Sequence, residues 1–351
     1  KRKMTESFGT TKKGEKCQLF RLRNQKGMEA HITDYGATVV RLYVPDREGN
    51  LVDVVLGYED AAGYEKGTIS FGGLVGRVAN RIGKARFELN GKEYHLTENV
   101  PGNTLHSGKD FYNQRKWETL EAGEDHVVFE LYSPDGDQGF PGGVTIRVTY
   151  TLTEAGELAI HYEARPEADT LLNVTNHSYF NLGGHDSGSV EEQWVQILAD
   201  GFTVTDEDSI PTGEIRAVEG TPMDFRKGKR IGEEIGADDP VLVMARGYDH
   251  NFVLNGTGLR TVARMYAEKT GVAMEVDTDL PGVQFYTANY IEAEPGKEGK
   301  VYGKRSGACF ETQYFPDAVN HPEFATPLVK KGQLWESRTI YRFSQGMFRE
   351  A

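Results

Sequence analysis

"VTIRVTYTLTEAGELAIHY", residues 144–162, carries the pattern that decides the fold. Val144, Ile146, Val148, Tyr150 and Leu152 alternate with Thr145, Arg147, Thr149, Thr151 and Thr153. Successive side chains of a strand point to opposite faces, so this period of two marks a strand with one buried face. After the turn "EAGE" the alternation resumes at Leu158, Ile160 and Tyr162, and the pair reads as an antiparallel hairpin. "FELNGKEYHL" (87–96) is a second hairpin. Its Asn90-Gly91 suits the positive φ values of a two-residue type I′ turn, and Phe87 is expected to face Tyr94 across the ladder.

Further strands are predicted in "HVVFELYS" (126–133), "WVQILADGFTVT" (194–205), "HNFVLN" (250–255), "RTVARMYAE" (260–268), "VAMEVDTD" (272–279) and "VQFYTANYIE" (283–292). Gly, Asn, Asp and Pro separate them at short intervals. The best helical window is "DFRKGKRIGEEIGA" (224–237), which its glycines weaken. The chain therefore reads as all-β, a sandwich or a barrel. No repeat, linker or low-complexity tract divides its 351 residues, and one large domain over 1–351 is expected.

Forty Lys and Arg against 53 Asp and Glu leave a net charge of −13, with the acidic residues scattered. Nucleic acids and anionic membranes reward clustered cations, so neither is an expected partner. Cys17 and Cys309 lie far apart, outside any C-x-x-C spacing, which argues against a disulfide framework and fits a reducing cytoplasm. No apolar run approaches the ~20 residues of a membrane span. Met4 reads as the natural start, with residues 1–3 additional to it.

Four segments carry polar groups that a β scaffold does not call for: "GRVANRIG" (76–83), "NTLHSG" (103–108), "TNHSYFNLGG" (175–184) and "FETQYFPDAVNHP" (310–322). "GYDHNFVL" (247–254) is a fifth candidate. Each has a plain structural reading. His106 follows a turn, His177 suits a buried ring satisfied by backbone, and Asp249 suits a turn beside Tyr248. Arg81 is either a surface residue or a clamp for hydroxyls. Glu311 stands between Phe310 and Phe315, where a charge is costly unless it is paired or used. Tyr179, Phe180, Phe315 and Trp335 read as core.

Short-range metal-ligand spacing, H-E-x-x-H, P-loop, G-x-G-x-x-G and nucleophile-elbow patterns are missing, so no metal or cofactor is expected. What remains is His177 with Glu311, accompanied by guanidinium, carboxylate and amide groups. That set suits proton transfer on a small polyhydroxylated substrate.

The segments "GRVANRIGKARFELNGKEYHL", "NTLHSG", "NHSYFNL", "YDHNFVL", "LPGVQFYTAN" and "FETQYFPDAVNHP" occur in the order and approximate spacing of the galactose mutarotases, or aldose 1-epimerases. The resemblance runs from about Tyr35 to Tyr341. It implies a large antiparallel β-sandwich, the supersandwich, with a sugar in an open cleft, and an isomerase that interconverts the anomers of free aldohexoses such as galactose and glucose. It further implies Glu311 as general base at the C1 hydroxyl, His177 as general acid at the ring oxygen and His106 as a second, polarising histidine. Asn80, Arg81, Asp249, Gln284 and Tyr179 would bind substrate.

An acid must hold its proton at neutral pH, so a raised His177 pKa is expected, helped by nearby carboxylates. Competing readings are a glycoside hydrolase using Glu311 with Asp249, and a carbohydrate-binding module without chemistry. A hexose phosphate would call for more cations than Arg77, Arg81 and Lys84. The choice among galactose, glucose, xylose and a disaccharide such as maltose turns on cleft contacts of a few kcal/mol. A monomer or homodimer is expected.

Overall fold

The computed structural model describes residues 4–347, so the reading of residues 1–3 lies outside them. Strands dominate, in three antiparallel sheets with several two-stranded ribbons between them. The first sheet takes five strands in chain order: Thr5–Thr10, Lys16–Arg23, Glu29–Thr33, Thr38–Pro45 and Leu51–Asp53. A central sheet of nine strands begins with Glu118–Ala122, His126–Ser133, Val144–Leu152 and Glu157–Pro166. It continues through Trp335–Gln345, Val272–Thr278, Arg260–Tyr266, Trp194–Ile197 and Lys229–Arg230. The C-terminal strand 335–345 thus lies between two halves built from earlier sequence, pairing Ala164 with Trp335 on one side and Val272 with Gln345 on the other. The third sheet orders Pro211–Ala217, Ala199–Thr205, Asp249–Leu254, Gly282–Tyr286 and Cys309–Gln313.

One apolar cluster joins inward side chains of all three sheets. Phe20 and Leu42 from the first meet Phe129, Ile146, Tyr150, Ile160 and Tyr341 from the second and Phe252, Phe285 and Phe310 from the third within it. Period-two alternation explains the partition: Val144, Ile146, Val148, Tyr150 and Leu152 are all fully buried, while the intervening residues are half-buried or exposed. The hairpin register pairs Tyr150 with Ile160 and Leu152 with Leu158. Phe87 does oppose Tyr94, with rings stacked at 5.2 Å. Tyr179, Phe180, Phe315 and Trp335 are buried.

Three expectations change. Residues 194–205 form two strands, because the chain leaves the nine-stranded sheet after Ile197 and enters the third sheet at Ala199. The strand predicted over 283–292 ends at Tyr286, before Ala288 at φ 52°, where the left-handed backbone cannot continue a ladder. Residues 224–237 form no α-helix. They hold a two-residue strand at Lys229–Arg230 and a single 3₁₀ turn at Ile231–Glu233, since Gly228 turns the chain at φ 81° and Ile231 and Ile235 enter the core from irregular backbone. The two α-helices among the described residues are short, Ala61–Lys66 and Pro240–Ala245. None is long and apolar enough to cross a membrane.

Candidate active site

The outer face of the third sheet makes the floor of a cleft. On its edge strand, Phe310 packs into the core and Thr312 Oγ1 meets Thr339 Oγ1, which turns Cys309, Glu311 and Gln313 to the opposite face. Antiparallel register then places Gln284 opposite Glu311 and Tyr286 opposite Cys309, with Asp249 opposite Tyr286 and Asn251 opposite Gln284 one strand further. A row of amides ties this floor together. Gln313 Nε2 donates to Asn251 Oδ1 (3.0 Å) and Gln284 Oε1 (3.1 Å), and Gln284 Nε2 donates to Asp249 Oδ1 (2.9 Å).

Loops raise the walls. His177 follows the bridge strand Thr175–Asn176; its N–H donates to Gly73 O, and its carbonyl accepts from Gly72 N–H. Asn176 and Ser178 hold the backbone rather than the ring, through Asn176 Nδ2 to Gly72 O and Ser178 N–H to Asn176 Oδ1. Asn80 (φ 62°) and His106 (φ 53°) are both left-handed and lock together. Asn80 N–H donates to His106 Nδ1 at 3.0 Å, and His106 N–H donates to Asn80 O at 2.9 Å.

All eight residues singled out in the sequence, Asn80, Arg81, His106, His177, Tyr179, Asp249, Gln284 and Glu311, line one chamber of about 290 Å³. Sequence reasoning missed Thr68, Ile69, Ser70, Leu105, Tyr286 and Tyr290 in the same wall. Tyr286 had a signal, since it shares the period-two face of Gln284. The 68–70 loop had none, because only the packing of the preceding helix brings it there. Arg77 moves the other way. It is fully buried, and its guanidinium donates to the carbonyls of Pro141 and Gly142 and to Ser133 Oγ, so it is a structural clamp and does not line the chamber.

At the centre His177 Nε2 lies 3.1 Å from Glu311 Oε1, both side chains being almost wholly buried. Tyr179 stacks on the imidazole (5.1 Å, 17°), His106 meets it edge-on, and Cys309 Sγ approaches its Nδ1 at 3.6 Å. Burial drives both central groups toward their neutral forms. It lifts the Glu311 carboxyl well above the usual range, with the Asp249 charge adding to the rise and Arg81 opposing it. His177 departs from the sequence expectation: burial lowers it to about 4 instead of raising it. Both directions favour one titratable proton on the pair, a protonated carboxyl beside a neutral ring. Burial, then the neighbouring His177 and Arg81 charges, lower His106 as well.

His106, His177 and Glu311 bring ligand atoms within 4.8 Å of one another, a spacing that a metal ion could use. The His106 bond to Asn80 argues otherwise. With Nδ1 accepting a backbone N–H, the neutral ring carries its proton on Nε2 and presents a donor rather than a lone pair.

The family model for aldose 1-epimerase matches residues 18–342. The chain belongs to the aldose 1-epimerase family. Galactose mutarotase from Rattus norvegicus is 42% identical over 94% of this chain and 95% of its own length, and the aldose 1-epimerase of Escherichia coli K12 is 34% identical over 94% and 96%. The solved structure of an aldose epimerase homologue from C. elegans superposes with a TM-score of 0.87 at 31% identity, covering 94% of this chain and 99% of that one. As a member of the family, the chain is an isomerase acting on sugars, and its three-sheet architecture is the galactose mutarotase-like sandwich.

Proposed function

We propose that the chamber binds the pyranose form of a free aldohexose such as galactose or glucose and interconverts its α and β anomers, with Glu311 as base and His177 as acid. The observation that carries this reading is the buried 3.1 Å contact between His177 Nε2 and Glu311 Oε1. The two oxygens that must exchange protons, the C1 hydroxyl and the ring oxygen, are bonded to one carbon. An acid and a base in mutual contact are spaced to address both.

Passing the carboxyl proton from Glu311 to His177 produces a carboxylate and an imidazolium without any exchange with solvent. Glu311 then takes the C1 hydroxyl proton as His177 protonates the ring oxygen, and the C1–O5 bond breaks to give the open-chain aldehyde. Rotation about C1–C2 presents the other face, and the reverse transfers close the ring to the opposite anomer. Concerted transfer keeps full charge off either oxygen. His106, fixed as a donor, polarises a substrate oxygen. Arg81, whose guanidinium bonds no protein group among the described residues, holds hydroxyls together with Asn80, Asp249 and Gln284, while Tyr179 braces His177 and borders the sugar.

A glycosidase needs two carboxyls across the scissile bond. Here the partner in contact with Glu311 is a histidine, and Asp249 is bonded to Gln284. A hexose phosphate loses support with Arg77 committed to the interior. The chain is further proposed to work as one domain, a monomer or homodimer, in the cytoplasm, where its two buried cysteines stay reduced.

Polarimetry of freshly dissolved α-galactose and α-glucose tests the reaction. Catalytic amounts of protein should speed decay to the same final rotation. Decay at the buffer rate for both sugars, or release of reducing sugar from glycosides, would overturn the reading.

A further inference from the structure

Asn80 reaches the chamber from a loop, Gln284 and Asp249 from two strands, and a single side chain behind them bonds to the first two. Gln313 is fully buried, does not line the chamber, and ends the strand that carries Glu311. Its Oε1 accepts from Asn80 Nδ2 at 3.4 Å, and its Nε2 donates to Gln284 Oε1 at 3.1 Å and to Asn251 Oδ1 at 3.0 Å. Gly282, opposite Gln313 in the sheet, leaves the room for this. A Cβ at Gly282 would fall 2.5 Å from Asn251 Oδ1.

An amide has a donating and an accepting end, so a chain of amides has a direction. The Asp249 carboxylate only accepts. Gln284 Nε2 donates to its Oδ1 at 2.9 Å, which turns Gln284 Oε1 toward Gln313. At the other end Asn80 Oδ1 is taken by the Arg81 N–H at 2.9 Å, which leaves Asn80 Nδ2 to face Gln313. The two ends set the same demand from opposite sides: the residue between them must accept toward Asn80 and donate toward Gln284. Glutamine does both, whereas a carboxylate lacks the donors, Lys and Arg lack the acceptor, and an apolar side chain lacks both. Each end keeps something for a ligand. Asn80 Nδ2 and Gln284 Nε2 have a second N–H, and Asp249 Oδ2 bonds no protein group among the described residues.

We infer that Gln313 is a positioning residue, which fixes the direction of the Asn80 and Gln284 amides in the chamber without touching the sugar. This rests on the mutarotase reading above. Without Gln313 both amides would have to be ordered as the sugar binds, and Gln284 Oε1 and Asn251 Oδ1 would be left without their donor, so the cost falls on binding. Proton transfer stands apart from it. His106 is held by the backbone N–H of Asn80 rather than by the amide that Gln313 holds, and Gln313 bonds neither His177 nor Glu311 through its side chain.

The test is polarimetry on α-galactose and α-glucose across the neutral pH range, with kcat and KM taken separately, for wild type, Gln313→Met and Gln313→Glu. Gln313→Met keeps the length of the side chain and removes all three of its bonds. KM should rise roughly tenfold, the scale of one or two lost hydrogen bonds, with kcat within about threefold. Gln313→Glu keeps the acceptor toward Asn80. Burial and the nearby Glu311 and Asp249 carboxyls favour the protonated form of the new group, against the pull of Arg81, and that form has a single donor. Ionisation removes it, so KM in this variant should climb with pH relative to the wild type. A side chain that only fills space would move thermal stability and neither of these readouts. A KM within about twofold of wild type in Gln313→Met would overturn the role, as would a fall in kcat at unchanged KM, or Gln313→Glu tracking the wild type at every pH. If Gln313→Met does not fold, the near-isosteric Gln313→Glu decides by the same pH criterion, and failure of both to fold would make Gln313 a residue of the fold alone. Wild-type protein at the buffer rate on both sugars would sink the mutarotase reading and this role with it.

Discussion

His177 Nε2 and Glu311 Oε1 meet at 3.1 Å, although a loop histidine and a strand glutamate lie 134 positions apart in the chain. The contact forms because Cys309 and Glu311, two apart on one strand, both face the cleft and reach the two nitrogens of one imidazole. A positioned acid or base typically contributes about 10²- to 10⁴-fold. Glu311→Gln and His177→Asn are each expected to lose that much in kcat, measured by polarimetry. Near-wild-type turnover in either would remove that residue from its role.

The pH profile follows from the one titratable proton of the pair. Below about pH 4 His177 takes up a second proton while Glu311 stays protonated, and no base remains. Above the raised pKa of Glu311 the pair loses its only proton, and no acid remains. kcat/KM should therefore be bell-shaped, falling on the acid side near pH 4 and staying level well above the ordinary carboxylate range. The two limbs belong to the pair rather than to either residue. An acid limb near 6.5, the ordinary histidine value, would contradict the burial argument.

Cys309 Sγ at His177 Nδ1 gives that nitrogen a polarisable partner and leaves Nε2 for proton exchange. Cys309→Ala should cost roughly fivefold in kcat, the scale of one hydrogen bond, and shift the acid limb to lower pH because the imidazolium loses support. Cys309→Ser should restore both. An unchanged pH profile in the alanine variant would make the thiol a packing group only.

Lys297 is fully buried, and its Nζ donates to Asp53 Oδ2 (2.6 Å) and to the carbonyls of Val40 (2.7 Å) and Val55 (2.8 Å). It joins the 294–302 hairpin to the first sheet. Removing one member of a buried pair strands the other charge, so Lys297→Met should cost about 3–5 kcal/mol in urea unfolding. Lys297→Met with Asp53→Asn should recover part of it. A loss below about 1 kcal/mol, the scale of exposed pairs, would show that the ammonium is solvated.

The sequence by itself determined the β class, the hairpins at 87–96 and 144–162, and the polar residues of the cleft. Period-two alternation and turn residues are local, and a polar group inside an apolar strand shows against its neighbours. Family motifs added the grouping of those residues, and all eight line the chamber. Tertiary structure decided the rest. Whether 194–205 is one strand or two depends on which sheets receive its halves, and whether Arg77 is a ligand or a clamp depends on carbonyls 56 to 65 residues away. It also set the direction of the His177 pKa shift, which burial lowers and the sequence read as raised. Desolvation is a property of everything packed around a group, and no local pattern records it.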